Sequence, residues 1–395
     1  MIGRDVVVAA AVRTPMGRHG GQLSAVRVDE LAALVIREAV ARAGLEPAAV
    51  DLVVAGCVNT AGEAMGNVAR YAALLAGLPD GVAGVTLNHF CASGLAAVNA
   101  AAHAIAVGEI DVAVAVGAES MSRSTWSVPK PTVPFARHEL VGRDTMWSGA
   151  GGPYNPRLVD TGSMIEMPET AQNLADRYGI GRGEQDAYAL ESHRRAAAAA
   201  DSGRFADELV AVPTPTGEAS ADETIRRDTT LDRLSTLPGY FPGCPDITAG
   251  NTSQINDGAS ALVLIAAERA ERELARVRAT AVAGVDPAVM GLGPTIAVPR
   301  ALRGAQLELG DVELVEINEA FASQTIACMR DLALDADRTN VNGGAIALGH
   351  ALGNSGTRIA TTLLHELRRR GGGIGVASLC VGGGQGVATV FEVAA

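Results

Sequence analysis

Three stretches of the chain hold residues able to do covalent chemistry. One is Asn88-His89-Phe90-Cys91-Ala92-Ser93-Gly94, which heads a run of small and apolar residues reaching Val107. The others are the Gly349-His350 loop and Ser378-Leu379-Cys380-Val381-Gly382-Gly383-Gly384. A cysteine at the head of an Ala-rich helix meets unpaired backbone N–H groups and the positive end of the helix dipole, and both favour the thiolate. Cys91 is therefore a candidate nucleophile. Read singly, each group has a plainer role: a buried apolar cysteine, a structural histidine, a tight glycine turn, or, for Asn318, a helix cap. Together they supply a nucleophile, an imidazole, an amide and a second thiol, each at the end of an apolar strand or the start of a helix, where α/β sheets collect ligands.

The elements that must position these groups are legible from periodicity. Val6 to Val12 is an apolar run of strand length, and Val28 to Ala43 has helical spacing with Asp29 and Glu30 in its first turn. Val50 to Gly56, Gly84 to Leu87, Ile110 to Val116 and Val312 to Ile317 read as strands, and Gly66 to Ala76 as a helix. A shift of 262 positions superposes Leu45 on Leu307, Glu46 on Glu308, Val50 on Val312, Leu52 on Leu314, Val53 on Val315, Ser93 on Ser355 and Gly94 on Gly356. One ungapped register with coinciding elements predicts two copies of an α/β unit. Between them, from Met121 to Gly250, prolines, Trp126, Trp147 and the Gly149 to Gly152 cluster predict an inserted loop domain with helices over Glu169 to Tyr178 and Glu184 to Ala200. The expected division is 1–120 (continued by about 251–270), 121–250 and 271–395.

Composition narrows the chemistry. A net charge of -12 and a pI near 5.1 argue against general affinity for nucleic acid or an anionic membrane, so an anionic ligand needs a local arginine cluster. Lys130 is the one lysine among 32 basic residues and lies in Val-Pro-Lys-Pro, which weakens P-loop, Schiff-base and pyridoxal-phosphate readings. Cys57, Cys91, Cys244, Cys328 and Cys380 are odd in number and lack a C-x-x-C pair, so neither a disulfide framework nor a zinc site is expected. The N-terminal apolar run is too short for a signal segment, and a cytoplasmic location is the expectation.

With these motifs in order, the chain resembles the thiolases, acetyl-CoA C-acyltransferases. The resemblance runs through the Cys91 segment, the Asn318-Glu319-Ala320-Phe321 block, the Gly349-His350 loop and the Cys380-Val381-Gly382-Gly383-Gly384 loop. It implies a layered α-β-α-β-α fold, two similar halves whose five-stranded sheets sandwich a shared helix layer, with a loop domain inserted in the first half. It also implies coenzyme A and acyl-CoA as substrates, no prosthetic group or metal, and a homodimer or homotetramer. The activity it implies is thiolytic cleavage of a 3-ketoacyl-CoA, as in fatty-acid β-oxidation, or the reverse condensation.

By the same resemblance His350 activates Cys91, Cys380 moves the proton alpha to the thioester, His350 and an Asn318-held water form one oxyanion hole, and the backbone N–H groups of Cys91 and Gly382 form the other. Ser253, in Ala249-Gly250-Asn251-Thr252-Ser253, matches the pantetheine-contacting serine, and Arg226 the position near the nucleotide. The sequence departs from the family at Ala351, where proline usually follows the histidine, and at Leu237-Pro238-Gly239-Tyr240-Phe241. Glu166 stands before Met167 where acetoacetyl-type thiolases commonly have histidine, which predicts a rebuilt pocket wall and a longer or broader acyl range. Met167-Pro168-Glu169-Thr170-Ala171 also resembles 3-oxoadipyl-CoA thiolases. The competing readings are an acetoacetyl-CoA-forming biosynthetic thiolase, a decarboxylating ketoacyl synthase, which generally lacks a counterpart to Cys380 and Asn318, and a silent acyl-CoA or lipid-binding protein on the same scaffold.

Overall fold

The computed structural model describes residues 3–135, 137, 139–146 and 155–395; Trp147 and the Gly149 to Gly152 cluster lie outside them. The elements of the first half are β1 (Val6–Arg13), α1 (Val28–Ala43), β2 (Leu52–Gly56), α2 (Val68–Leu75), β3 (Ala83–Leu87), α3 (Ser93–Ala106) and β4 (Val112–Ser120). The following stretch carries α4 (Met167–Tyr178) and α5 (Arg182–Asp201). Then come β5 (Asn256–Ala266), β6 (Ala275–Gly284), α6 (Gly293–Ala305), β7 (Val312–Ile317), α7 (Ala322–Asp331), α8 (Leu352–Arg370), β8 (Gly373–Val381) and β9 (Gln385–Val393).

In the first half the strand order is β3-β2-β4-β5-β1, and in the second β7-β8-β9-β6. The pairing sense matches: β2 is parallel to β4 as β7 is to β8, and both halves continue antiparallel through β5 and β1 or through β9 and β6. The counterpart of β3 is reduced to a parallel bridge between Val315 and Thr339. The two sheets, expected to be separate, touch through two residue pairs, Val7 with Arg276 and Val8 with Ala275. The cause is the short chain between β5 and β6, which holds no α-helix and brings Leu274 N–H onto the Val8 carbonyl at 2.7 Å.

Period-two alternation along β5 divides the core. Ala259, Ala261, Val263 and Ile265 pack with α1 and α2, whereas Leu262 and Leu264 face α3 and α8. The same central layer takes Leu379 of β8 and Phe391 of β9, and α6 covers the far face of the second sheet through Val298 and Leu302. Five layers result, with α3 and α8 enclosed on both sides.

Those two helices cross with their backbones in contact. A Cβ at Gly94 would lie 2.6 Å from the Gly353 oxygen, one at Gly356 would lie 2.1 Å from the Leu95 nitrogen, and one at Gly56 would lie 2.3 Å from the Ser93 carbonyl carbon. The Ser-Gly pair repeated at 93–94 and 355–356 thus marks the crossing point, where only a hydrogen in place of a side chain fits. We expect Gly356→Ala to destabilise the fold by about 1–3 kcal/mol, the usual range for overpacking a core. Thermal unfolding of the variant against the parent measures this, and an unchanged melting temperature would contradict the tight crossing.

Candidate active site

The crossing brings the chemical groups together, because Cys91 precedes Gly94 by three residues and His350 precedes Gly353 by three. The helix proper begins at Ser93 with Ala92 as its cap, so Cys91 lies in the turn before it. Phe90 takes a left-handed conformation (φ 45°), uncommon for a bulky side chain. The turn is held by the Asn88 Oδ1, which accepts from Phe90 N–H at 2.9 Å, and by Ser93 Oγ, which accepts from His89 N–H at 2.8 Å and donates to the Phe90 carbonyl at 2.7 Å. Burial pushes the Cys91 thiol up to about 11, against the opposing pull of the Gly382 backbone N–H. The expectation that the helix start favours the thiolate is corrected here: desolvation outweighs the N–H groups, and the resting group is a thiol.

His350 follows Gly349, whose φ of 104° suits glycine and whose Cβ, if present, would strike the Asn256 amide. The His350 N–H donates to Asn256 Oδ1 at 2.8 Å. Ser355 Oγ donates to the Ala351 carbonyl at 2.9 Å and lies 2.6 Å from His350 Nδ1. With the hydroxyl proton so used, Nδ1 must donate, which leaves the lone pair on Nε2. Nε2 is buried and bonds no other protein group among the described residues. Burial, then the charge of Arg358, depresses His350 to about 4. The imidazole at neutral pH is therefore uncharged and able to accept a proton. Ala351 has φ -78°, a value proline shares, so the missing ring leaves the local path unchanged while side-chain bonds hold the loop.

Cys380, at the end of β8, packs with Met167, Met290 and Phe321. Its thiol is pushed well above the ordinary range by burial and then by proximity to Cys91, so a negative charge on either sulfur disfavours one on the other. Asn318 follows β7 and donates its backbone N–H to the Ser378 carbonyl at 3.0 Å. Its side-chain amide is buried without a protein partner among the described residues, and the cap of α7 is Phe321, so Asn318 does not cap that helix. The neighbouring Glu319 accepts from Tyr188 Oη at 2.9 Å, Ser192 Oγ at 2.7 Å and the Ile346 N–H at 3.1 Å, pinning α5 to the site. A Cβ at Gly382 would approach Met167 Sδ and the Phe90 ring at 3.9 Å, so this glycine lies between the start of α4 and the Cys91 turn.

Ser253 and Arg226 line one cavity of about 480 Å³ with Glu166, Tyr240, Phe241 and Phe321. Ile255 of the same wall pairs with His350, and Met167 and Phe321 with the Cys380 cluster, so the cavity abuts the candidate catalytic groups without being lined by the thiols themselves. Tyr240 and Phe241 line it despite the altered sequence there. Glu166 forms a capping box with Glu169 at the start of α4, which explains how a carboxylate is accommodated in this wall. Sequence reasoning missed Glu119, which accepts from the N–H groups of Val58, Asn59 and Gly353 and ties the end of β4 to the start of α8. An acidic residue ending an apolar strand was the available signal.

Comparison with known proteins agrees with this geometry. The model of the thiolase N-terminal domain matches residues 6–268 and that of the thiolase C-terminal domain residues 271–393. The chain is 46% identical to a beta-ketoadipyl-CoA thiolase of Pseudomonas aeruginosa over 99% of its length and 100% of that relative. It is 45% identical to an acetyl-CoA acetyltransferase of the same organism, with 98% of each covered. The crystal structure of human mitochondrial 3-ketoacyl-CoA thiolase superposes with a TM-score of 0.93 at 39% identity, covering 100% of both chains. A cysteine turn, a buried imidazole loop and a second buried thiol, set on two similar halves, are here joined to likeness over the full length: the chain belongs to the thiolase family.

Proposed function

We propose that this thiolase acts on 3-ketoacyl-CoA esters through Cys91, His350, Cys380, Asn318 and Gly382. The observation that carries the reading is the Cys91 thiol met by the Gly382 N–H, in a site that also holds a neutral imidazole and a second thiol. His350 Nε2 takes the Cys91 proton, and the sulfur attacks the 3-keto carbon. The bond between carbons 2 and 3 breaks, its electron pair goes to carbon 2, and Cys380 protonates that carbon to give acetyl-CoA. Free coenzyme A then attacks the acyl-Cys91 thioester and leaves as the shortened acyl-CoA, with its thiol proton taken up by the site. Each step places negative charge on an oxygen. The N–H groups of Cys91 and Gly382 serve one such oxygen, and His350 with a water on Asn318 the other; loss of one donor typically costs about 2.7–4 kcal/mol of barrier.

For the acyl group, the reading is a chain longer than acetoacetyl, with a dicarboxylic 3-ketoacyl-CoA of the β-ketoadipyl type preferred to a plain fatty acyl chain. It is supported by the beta-ketoadipyl-CoA thiolases among the relatives, at 43–46% identity, and by Glu166 in the cavity wall, which stands where acetoacetyl-type thiolases commonly have histidine. Ser253 and Arg226, facing the same cavity, are assigned to the pantetheine and nucleotide ends of coenzyme A. A homodimer or homotetramer is the reading for assembly: β3 is an edge strand with Val85 exposed, and the adjoining α2 exposes Tyr71, Leu74 and Leu75.

Mass spectrometry after incubation with acetyl-CoA should find the acyl group on Cys91, absent in Cys91→Ala and retained in Cys380→Ser, which should lose α-proton exchange instead. Acylation that survived Cys91→Ala would reverse the assignment. In the parent, acylation should show no loss of rate near pH 6.5, because His350 stays neutral down to about pH 4. In His350→Ala the rate should be low at pH 7 and climb about tenfold per pH unit towards the thiol value, since only spontaneous thiolate then reacts. A flat profile in that variant would remove His350 as the base.

Thiolysis of acetoacetyl-CoA compared with 3-ketohexanoyl-CoA and 3-ketoadipyl-CoA tests the substrate. The largest kcat/KM is expected for the dicarboxylic ester, and a marked preference for acetoacetyl-CoA would overturn that part. Sedimentation at micromolar concentration should give a dimer or larger, and an active monomer would refute the assembly.

A further inference from the structure

The turn that presents Cys91 and the loop that presents Gly382 come from opposite halves of the chain, and a pair of side chains joins them. His89 Nε2 lies 3.0 Å from Gln385 Oε1, across 296 positions of sequence. Gln385 Nε2 donates to the Gly382 carbonyl at 3.3 Å, which turns its amide so that the oxygen faces the histidine. His89 Nε2 is thus the donor. The backbone N–H of His89 is already held by Ser93 Oγ, so one end of the link is anchored in the turn before α3 and the other in the glycine loop after β8.

The geometry points to His89 and Gln385 as positioning residues, a clasp that sets the spacing between the Cys91 turn and the Gly382 N–H. The glycine loop needs such a restraint: Gly383 and Gly384 both have positive φ (76° and 83°), and glycine backbone gives little stiffness of its own. Phe90, exposed and in the left-handed region, is a strained residue between His89 and Cys91, and strain persists only where surrounding contacts hold it. The proposal rests on the assignment of Cys91 as nucleophile and Gly382 as its N–H donor, and adds the pair that keeps them in register.

The test uses alkylation of Cys91 by iodoacetamide at fixed pH between 7.5 and 9.5, followed by mass spectrometry of the Cys91 peptide, in the whole enzyme. Loss of the Gly382 N–H removes a stabiliser of the sulfur anion, and each unit of rise in the thiol value slows alkylation about tenfold at a given pH. His89→Ala and Gln385→Ala should each slow it several-fold. The double variant should be no slower than the worse single, the mark of two residues acting as one unit. His89→Gln, which keeps an N–H donor at similar reach, should restore the rate. In thiolysis the alanine variants should lower kcat and leave KM nearly unchanged. Alkylation at the parent's rate in both single variants, or effects that multiply in the double variant, or no rescue by His89→Gln, would overturn the clasp. Absence of thiolysis in the parent would instead refute the proposed reaction, and the alkylation series would still decide the clasp.

Discussion

The close crossing of α3 and α8 is the constraint on which the site depends. A helix pair ordinarily keeps its axes about 8–10 Å apart because side chains stand between them. At Gly94 and Gly356 there are none, and backbone meets backbone. Ser93 opens α3 and Ser355 lies in the first turn of α8, and each turns its hydroxyl back to the chain just before it: Ser93 fixes the Cys91 turn, and Ser355 fixes the tautomer of His350. The duplicated Ser-Gly pair therefore does two jobs in each half, allowing contact by its glycine and orienting a reactive residue by its hydroxyl.

The second determinant is desolvation. A water-poor site raises both thiols and lowers the imidazole, so the ionisations required for an ion pair are opposed on both sides. At rest the two thiols and the imidazole are uncharged, and on the proposed mechanism charge appears only as the reaction proceeds, where preorganised donors act most strongly. Nε2 of His350 and the amide of Asn318, unpartnered among the described residues, would be costly in a purely structural role. Farther from the thiols, Arg13, fully buried on β1, is held by Glu208 and Asp222 at 2.5 and 2.7 Å, and these contacts lock the stretch after α5 against the first sheet.

Much of the secondary structure follows from local pattern. Val28–Ala43 and Val312–Ile317 form with the bounds read from periodicity, and α4 starts two residues before the expected Glu169 because Glu166 and Glu169 cap it reciprocally. Local pattern failed where the deciding partner was remote. The helix start by itself favours an ionised Cys91, yet burial governs the thiol. Read alone, Asn318 is most simply a helix cap, and the position of Phe321 at the head of α7 excludes that role.

The amino-acid sequence by itself determined the chemical types, the duplication and the family likeness: reactive groups sit in short motifs, and alternation of apolar residues is a local property of strands and helices. Tertiary structure alone decided the state and company of those groups. Desolvation depends on what is packed overhead, a tautomer on which oxygen lies within reach, and contacts such as His89 with Gln385 or Glu119 with Gly353 join residues hundreds of positions apart. No local pattern encodes those distances, because they are set by how two folded halves close on the helices between them.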